Sequence, residues 1–400
     1  MDIIITRTIG LLGVAILVAI IARRLHLPYT VGLVITGIGL AAARLQTGTM
    51  LTHDFIFDLI LPPLLFEAAL SMHWRPLRRD LLPILTLSTL GVVISTAFVA
   101  TGMVHFLNWP LTPALVFSVL IAATDPIAVI AMFKDTGVKG RLRLLVESES
   151  LFNDGVAAVL FALVLAWGTE GASMTAAAAT CKLVLMAGGG IGVGLLCGGA
   201  AVALAGRTSD YLVETMVTTV AAYGSFLVSE HFHFSGVLAT VATGLVMGNL
   251  GVLTETELLS SGGRTFVVAF WDFAAFIANS LVFLLIGLAV ASVSFEGLGA
   301  AALVCMIALV LAGRALTIYP LCLLFRHSTW AIPANEQHIL WWGGLRGALA
   351  LALALALPPN LDHRNEILIA AFGVVVFSTV VQGLTMPWLL RRLRFLPLAE

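Results

Sequence analysis

The chain has 400 residues, of which 60% are hydrophobic and 11% charged, and its formal net charge is -1. A soluble protein of this size needs charged side chains over most of its surface, so this composition excludes one and predicts an outer surface that faces lipid. A near-neutral charge also argues against a broad basic surface for nucleic acid. We therefore expect a lipid bilayer, and no nucleic acid, around this chain.

Apolar runs long enough to cross a bilayer recur along the sequence. The first has no basic leader and no cleavage site after it, and we interpret it as a retained span. We predict an all-α polytopic membrane protein, a single transmembrane domain of residues 1–400 with about thirteen spans, near 4–22, 28–45, 52–71, 81–106, 111–133, 143–167, 175–205, 211–229, 233–249, 265–290, 297–325, 336–357 and 366–390.

An odd number of spans suits a transporter built from inverted repeats. We predict a first six-helix repeat in 1–167, a linker helix in 175–205, a second six-helix repeat in 211–390 and a short tail in 391–400. Most Lys and Arg residues then fall on loops that share one side of the membrane, which the positive-inside rule makes cytoplasmic. This places the protein in the cell (inner) membrane with its N-terminus outside and its C-terminus in the cytoplasm.

The fifth predicted span contains LIAATDPIAVIAMF, in which Asp125 directly precedes Pro126. Proline lacks a backbone donor and disfavours helix at the residue before it, so we expect Thr124 and Asp125 on unwound chain with free carbonyls. Carbonyl and carboxylate oxygens are the ligands that a dehydrated cation prefers. A simple proline kink with a solvated Asp125 is the alternative.

The twelfth predicted span carries a charge among glycines, with Arg346 placed between Gly343, Gly344 and Gly347. These glycines permit a second helix break. The fifth and twelfth spans correspond to each other if the two repeats are related, so paired discontinuous helices predict a binding site at the membrane midplane.

The start of the sixth predicted span is polar, in the sequence ESLFND from 149 to 154. Helical spacing stacks Glu149 over Asn153 and Ser150 over Asp154, which predicts a polar face turned inward. The alternative is an ordinary helix start at the membrane surface. The apolar run after Asp154 makes it the deepest of these groups.

Two further charged residues lie within predicted spans. Arg314 is in the middle of the eleventh span and needs a counter-charge, for which we predict Glu149. Glu67 in the third span is interpreted as an additional ligand or gate, or else as a carboxylate that reaches toward the cytoplasmic surface.

Other features argue against a cofactor or an enzyme. The four cysteines, Cys181, Cys197, Cys305 and Cys322, lie far apart and lack metal-binding spacing. The glycines at 188–194 are not followed by the Lys-Ser/Thr of a phosphate loop, so they indicate close helix packing and no nucleotide site. The sequence has neither GxSxG nor HExxH. We expect no cofactor and no enzymatic activity.

Six motifs occur in a specific order along the chain: LPPLLFEAAL at 61–70, ATDPIAV at 123–129, ESLFND at 149–154, FWDFAAFIANSLVFLLIGL at 270–288, GRALTIYP at 313–320 and GGLRGALALALAL at 343–355. Their order resembles the NhaP-type monovalent cation/proton antiporters, which are related to the eukaryotic sodium/proton exchangers.

The resemblance implies an NhaA-like antiporter fold, a homodimer and electroneutral exchange of sodium or lithium for a proton. It also implies that Asp154, paired with Asn153, carries the ion or the proton, with Asp125 and Thr124 completing the helix crossing. Glu149 and Arg314 would form a structural ion pair. The expected ligands of the transported cation are Asp154, Asp125, Ser150 and Thr124.

Exchange follows if one buried carboxylate holds either passenger. Burial disfavours the ionised form of Asp154 unless a cation binds, so a proton and a cation exclude each other there. Alternating access then converts this competition into exchange. A potassium/proton antiporter of the same architecture and, more distantly, a cation channel are the alternatives.

Overall fold

The computed structural model describes residues 2–25, 28–43, 52–170, 176–253, 259–292 and 298–395. In these ranges the regular secondary structure is entirely helical. In chain order the helices are α1 (Asp2–Leu25), α2 (Tyr29–Ala42), α3 (Leu61–Leu70), α4 (Trp74–Arg79), α5 (Leu81–Leu85), α6 (Gly91–Leu107), α7 (Leu111–Leu120), α8 (Ile127–Thr136), α9 (Arg141–Glu170), α10 (Ala176–Ala205), α11 (Tyr211–His231), α12 (Gly236–Met247), α13 (Ser261–Ser292), α14 (Ala300–Leu324), α15 (Ala334–Trp342), α16 (Ala348–Leu355), α17 (Arg364–Phe377) and α18 (Gly383–Arg392).

The predicted all-α fold is confirmed, and each predicted span overlaps at least one of these helices. Among the described residues, seven helices are long and apolar enough to cross a membrane, and four shorter apolar helices accompany them. Residues 44–45, 175, 297 and 396–400, at the ends of predicted spans and in the predicted tail, lie outside the described ranges.

Two predicted spans are interrupted, at the places where the sequence indicates a break. Residues 121–126 separate α7 from α8, and residues 343–347 separate α15 from α16. Thr124 and Asp125 are therefore on non-helical chain, as expected from the proline that follows them. We call these segments the first break and the second break.

Among the described residues, four π-helical turns that periodicity does not reveal adjoin the α-helices: Phe55–Ile60 before α3, Thr86–Leu90 before α6, Gly248–Val252 after α12 and Ser378–Gln382 between α17 and α18. The first of them precedes Pro62 and Pro63. Pro63 lacks the N–H that would bond to the carbonyl of Leu59 in an α-helix, and the hydroxyl of Tyr223 donates to that carbonyl at 3.0 Å. A side chain thus replaces a lost backbone donor.

By its internal contacts the chain divides into two compact units. The first unit comprises Met1–Ile56, Pro83–Asn153 and Asn279–Glu400, and the second comprises Phe57–Leu82 and Asp154–Ala278. Both breaks belong to the first unit. This division rests on contacts and not on sequence repeats, so the predicted repeat boundaries stay a prediction.

The second unit has a core in which Phe66 of α3 packs against Trp271 of α13, with ring centroids 4.6 Å apart, and the Trp271 indole donates to Thr218 at 2.8 Å. Close helix packing at the glycine run of α10 is confirmed. A Cβ at Gly190 or Gly194 would collide with backbone carbonyls at the start of α12, so only glycine permits this approach.

Candidate functional site

The two breaks touch each other within the first unit. The amide of Asp125 in the first break donates to the carbonyl of Leu345 in the second, at 2.7 Å. A Cβ at Gly347 would collide with the carboxylate of Asp125, so this contact requires glycine. The sequence signals at Asp125–Pro126 and Gly343–Gly347 thus mark two halves of one helix crossing.

Arg346 satisfies carbonyls that the first break leaves without helical donors. The residue is 3% exposed, and its Nη1 donates to the carbonyls of Ala122 and Ala123 at 2.7 and 3.1 Å. These carbonyls follow the C-terminal end of α7, where the helix dipole favours a positive charge. Arg346 therefore stabilises the unwound segment electrostatically and by direct hydrogen bonds.

Side chains from α9 complete a cluster of oxygens around Thr124, which we call the oxygen cluster (Thr124, Asp125, Ser150 and Asn153). Thr124 Oγ1 donates to Ser150 Oγ at 3.1 Å, and Ser150 Oγ is also in contact with the Thr124 carbonyl. The Asn153 amide donates to the Ala122 carbonyl at 3.1 Å and to Thr124 Oγ1 at 3.0 Å. Thr124, Ser150 and Asn153 are each at most 3% exposed.

One oxygen of this cluster is left without a donor. Asn153 Oδ1 is buried and has no hydrogen-bond partner among the described residues. A buried polar atom without a partner costs about 1–3 kcal/mol. The carboxylate of Asp125, half-buried in the same break, accepts from the Ile127 amide at 2.9 Å through Oδ1 and so satisfies the first N–H of α8. The cluster thus offers hard oxygens in a mostly dry place.

Arg314 of α14 forms a two-pronged ion pair with Glu149 of α9, with N–O distances of 2.7 and 2.8 Å. Both residues are nearly inaccessible, at 7% and 2% exposure. Arg314 Nη2 also donates to the carbonyl of Leu340 in α15 at 3.1 Å. The structure thus brings the predicted pair together, and the pair links α9 to the helix before the second break.

The last span supports the second break through residues that the sequence analysis missed. Ser378 Oγ accepts from the Arg346 amide at 3.0 Å, and the Gln382 side-chain amide donates to the Trp342 carbonyl at 3.0 Å. Both belong to the π-helical turn Ser378–Gln382. The only signal for them in the sequence is a pair of polar residues four apart within an apolar run.

The remaining predicted site residues have the following places. Pro126 is half-buried at the N-terminal end of α8, and Gly343 and Gly344 are buried at the start of the second break. Asp154 is half-buried and follows Asn153 on α9, where the second unit resumes. Glu67 is half-buried on α3 in the second unit.

Hydroxyl, carbonyl, amide and carboxylate oxygens suit a small hard cation that travels as a substrate. The formal charges of the crossing cancel, because the carboxylates of Asp125 and Glu149 are matched by the guanidinium groups of Arg314 and Arg346. Paired broken helices with unwound carbonyls are an arrangement that transporters use at their binding sites.

Known membrane proteins are similar to this chain in sequence. Residues 12–392 match the sequence profile of the family described as sodium/hydrogen exchanger, transmembrane. The Na(+)/H(+) antiporter ApNhaP of Aphanothece halophytica is 42% identical over 388 residues, which cover 96% of this chain and 73% of that protein. The Na(+)/H(+) antiporter NhaH of Halobacillus aidingensis is 34% identical, with 96% of each chain covered.

The sodium proton antiporter MjNhaP1 of Methanocaldococcus jannaschii has the same fold. Its solved structure superposes with a TM-score of 0.76 over 97% of this chain and 99% of that one, at 21% sequence identity. The predicted antiporter fold is thereby confirmed. With a family profile matched over nearly the whole length and relatives above 30% identity, this chain belongs to the sodium/hydrogen exchanger family of membrane transporters.

Proposed function

We propose that this protein exchanges sodium for a proton across the cell membrane, with Asp154 as the residue that binds either ion. The observation that carries the proposal is the buried Asn153 Oδ1 of the oxygen cluster, which has no hydrogen-bond partner in the described part of the chain and lies one residue before Asp154 on α9. A sodium ion needs several oxygen ligands in place of its water shell, and an unpartnered amide oxygen is available to be one of them.

The charge balance supports an electroneutral cycle. The crossing is formally neutral without Asp154, so the carboxylate of Asp154 adds one negative charge. Desolvation disfavours this charge unless a sodium ion or a proton neutralises it. A carrier that changes its access only when neutralised then moves one sodium ion in one direction for each proton in the other. Thr124, Asp125 and Ser150 supply further ligands, and Glu67 is proposed as an additional ligand or gate.

Sodium is favoured over potassium by the relatives, which are named Na(+)/H(+) antiporters. Lithium, a smaller ion that prefers the same hard oxygens, is proposed as a second substrate. The matching family is described as one of sodium/hydrogen exchangers. This description argues against an enzyme and against a channel.

We also propose a homodimer in the inner membrane, with the N-terminus outside and the C-terminus in the cytoplasm. The distribution of Lys and Arg among the predicted loops supports the orientation. The resemblance to known antiporters supports the dimer. Labelling of single cysteines introduced at each terminus, in intact and in permeabilised cells, tests the orientation.

The test of the proposed activity uses purified protein in proteoliposomes that contain a pH-sensitive dye. Sodium added outside is expected to drive protons across the membrane, lithium to do the same, and potassium to have little effect. A membrane potential clamped at different values should leave the rate unchanged if the exchange is one for one. Proton movement that potassium drives and sodium does not would contradict the assignment of sodium.

A further inference from the structure

The short helix α4 exposes charged and large apolar side chains side by side. It lies between the third and fourth predicted spans, and Arg75 and Arg78 on it are exposed. Trp74 is 45% exposed and Leu82, just beyond α4, is 50% exposed, whereas Leu77 is fully buried. Surface that is both cationic and apolar within a few residues is typical of the boundary between headgroups and hydrocarbon, where Trp is enriched.

A side chain of the π-helical turn Gly248–Val252 fixes α4 in place. The Asn249 side chain accepts from the amide of Trp74 at 2.7 Å and donates to the carbonyl of Met72 at 2.9 Å. It also donates to the carbonyl of Leu245 at 2.9 Å, which orients the amide. Asn249 thus holds the turn that leads into α4 from both sides, and all these residues belong to the second unit.

The exposed charge on α4 is positive. Arg75 and Arg78 are three residues apart, which places their Cβ atoms about 5–6 Å from each other on one face of the helix. Arg79 next to them is also exposed, while the only nearby carboxylate within this stretch, that of Asp80, is 9% exposed. Two neighbouring guanidinium groups match the geometry of a phosphate, which they bind through paired hydrogen bonds.

We propose that α4 is a binding site for the headgroup of an anionic phospholipid. The lipid phosphate lies between Arg75 and Arg78, the Trp74 ring lies at headgroup level, and an acyl chain packs beside Leu82. Because Asn249 fixes the helix before the lipid arrives, the site differs from a general attraction of basic loops to an anionic surface. The proposal is independent of the residues that bind the transported ions.

The test compares lipid binding to purified full-length protein by native mass spectrometry, with phosphatidylglycerol and phosphatidylcholine as probes. The variant R75Q/R78Q is expected to bind phosphatidylglycerol on the order of tenfold more weakly, with unchanged binding of phosphatidylcholine. The matched control R207Q/R326Q removes the same charge from two isolated exposed arginines and should bind like the wild type. Asn249→Ala keeps every arginine but frees α4, and we expect weaker binding of phosphatidylglycerol.

Wild-type binding by R75Q/R78Q would overturn the proposal, and so would an equal loss in R207Q/R326Q, which would indicate general charge attraction. If a folded Asn249→Ala variant binds phosphatidylglycerol like the wild type, the claim that Asn249 preforms the site is overturned. A third arm adds inorganic phosphate to the protein and measures thermal stability. Stabilisation by phosphate of the wild type but not of R75Q/R78Q, together with wild-type binding of phosphatidylglycerol by R75Q/R78Q, would assign the site to free phosphate and overturn the lipid assignment.

Discussion

The first break and the second break lie in the same crossing but are stabilised by different chemistry. The carbonyls of the first break accept hydrogen bonds from Arg346 and Asn153, and its Thr124 hydroxyl donates to Ser150 Oγ. The ends of the second break are held by Arg314, Ser378 and Gln382, and its own contribution is the positive charge of Arg346. The first break therefore presents oxygen atoms, which we propose as ligands for the cation, and the second presents a positive charge beside them.

This difference follows from the two sequences. The first break has a proline, which removes a donor and leaves carbonyls free, next to a carboxylate and a hydroxyl. The second has glycines, which let the chain approach Asp125 closely and add no oxygen side chains. The oxygen left without a hydrogen-bond partner among the described residues, Asn153 Oδ1, belongs to α9 and lies beside the first break.

The largest expected loss of stability comes from removing the support of the second break. Arg314→Ala would strand the buried Glu149 carboxylate and the Leu340 carbonyl, at a cost of about 3–5 kcal/mol in unfolding free energy. Thermal unfolding of purified protein measures it. The double variant with Glu149→Leu and Arg314→Met removes both charges and should recover a large part of the loss. If it is as unstable as Arg314→Ala, the ion pair is not the source of the cost.

A smaller loss is expected where the two breaks meet. Gly347→Ala places a methyl group against the Asp125 carboxylate, which costs up to about 3 kcal/mol by overpacking and displaces Asp125. Transport should fall more than stability does. The matched control is Gly192→Ala on α10, where a Cβ meets nothing within 4 Å. Equal transport by both variants would show that the contact between the breaks is dispensable.

Within the first break, Thr124→Val removes a hydroxyl that bonds to both Asn153 and Ser150. We expect a loss of about 1–2 kcal/mol in stability and an apparent sodium affinity on the order of tenfold lower. Thr101→Val makes the same change at an exposed residue of α6, whose hydroxyl bonds only to Ala97 among the described contacts. An unchanged sodium affinity in Thr124→Val would remove this hydroxyl from the ligand set.

The smallest effect is expected at a helix interruption that supplies no ligand. Tyr223→Phe removes the donor to the Leu59 carbonyl near Pro63, which should cost about 0.5–1.5 kcal/mol with little change in sodium affinity. Tyr211→Phe, at a 44% exposed tyrosine, is the control. A marked fall in sodium affinity in Tyr223→Phe would show that a helix interruption outside the first break also affects sodium binding.

The sequence predicts those parts of the fold that depend on local chemistry. The proline after Asp125 and the glycines around Arg346 disrupt helices by themselves, so both breaks can be predicted from the sequence. The length of the apolar runs is enough to predict the spans. The π-helical turns are not predicted, because hydrophobic periodicity does not reveal them. Helix α4 is not predicted, because it is too short and too polar to be recognised as a span. The hydrogen-bonding side chains of Ser378, Gln382 and Asn249 are missed for another reason, since their partners are distant in sequence and no periodicity encodes such contacts.

The central claim, that one carboxylate on α9 holds either the cation or the proton, is tested most directly by Asp154→Asn in proteoliposomes. We expect no sodium-driven proton movement, with expression and thermal stability close to those of the wild type. Asp272→Asn makes the same chemical change at an exposed residue of α13 and should keep wild-type exchange. Exchange at the wild-type rate by Asp154→Asn would contradict the account.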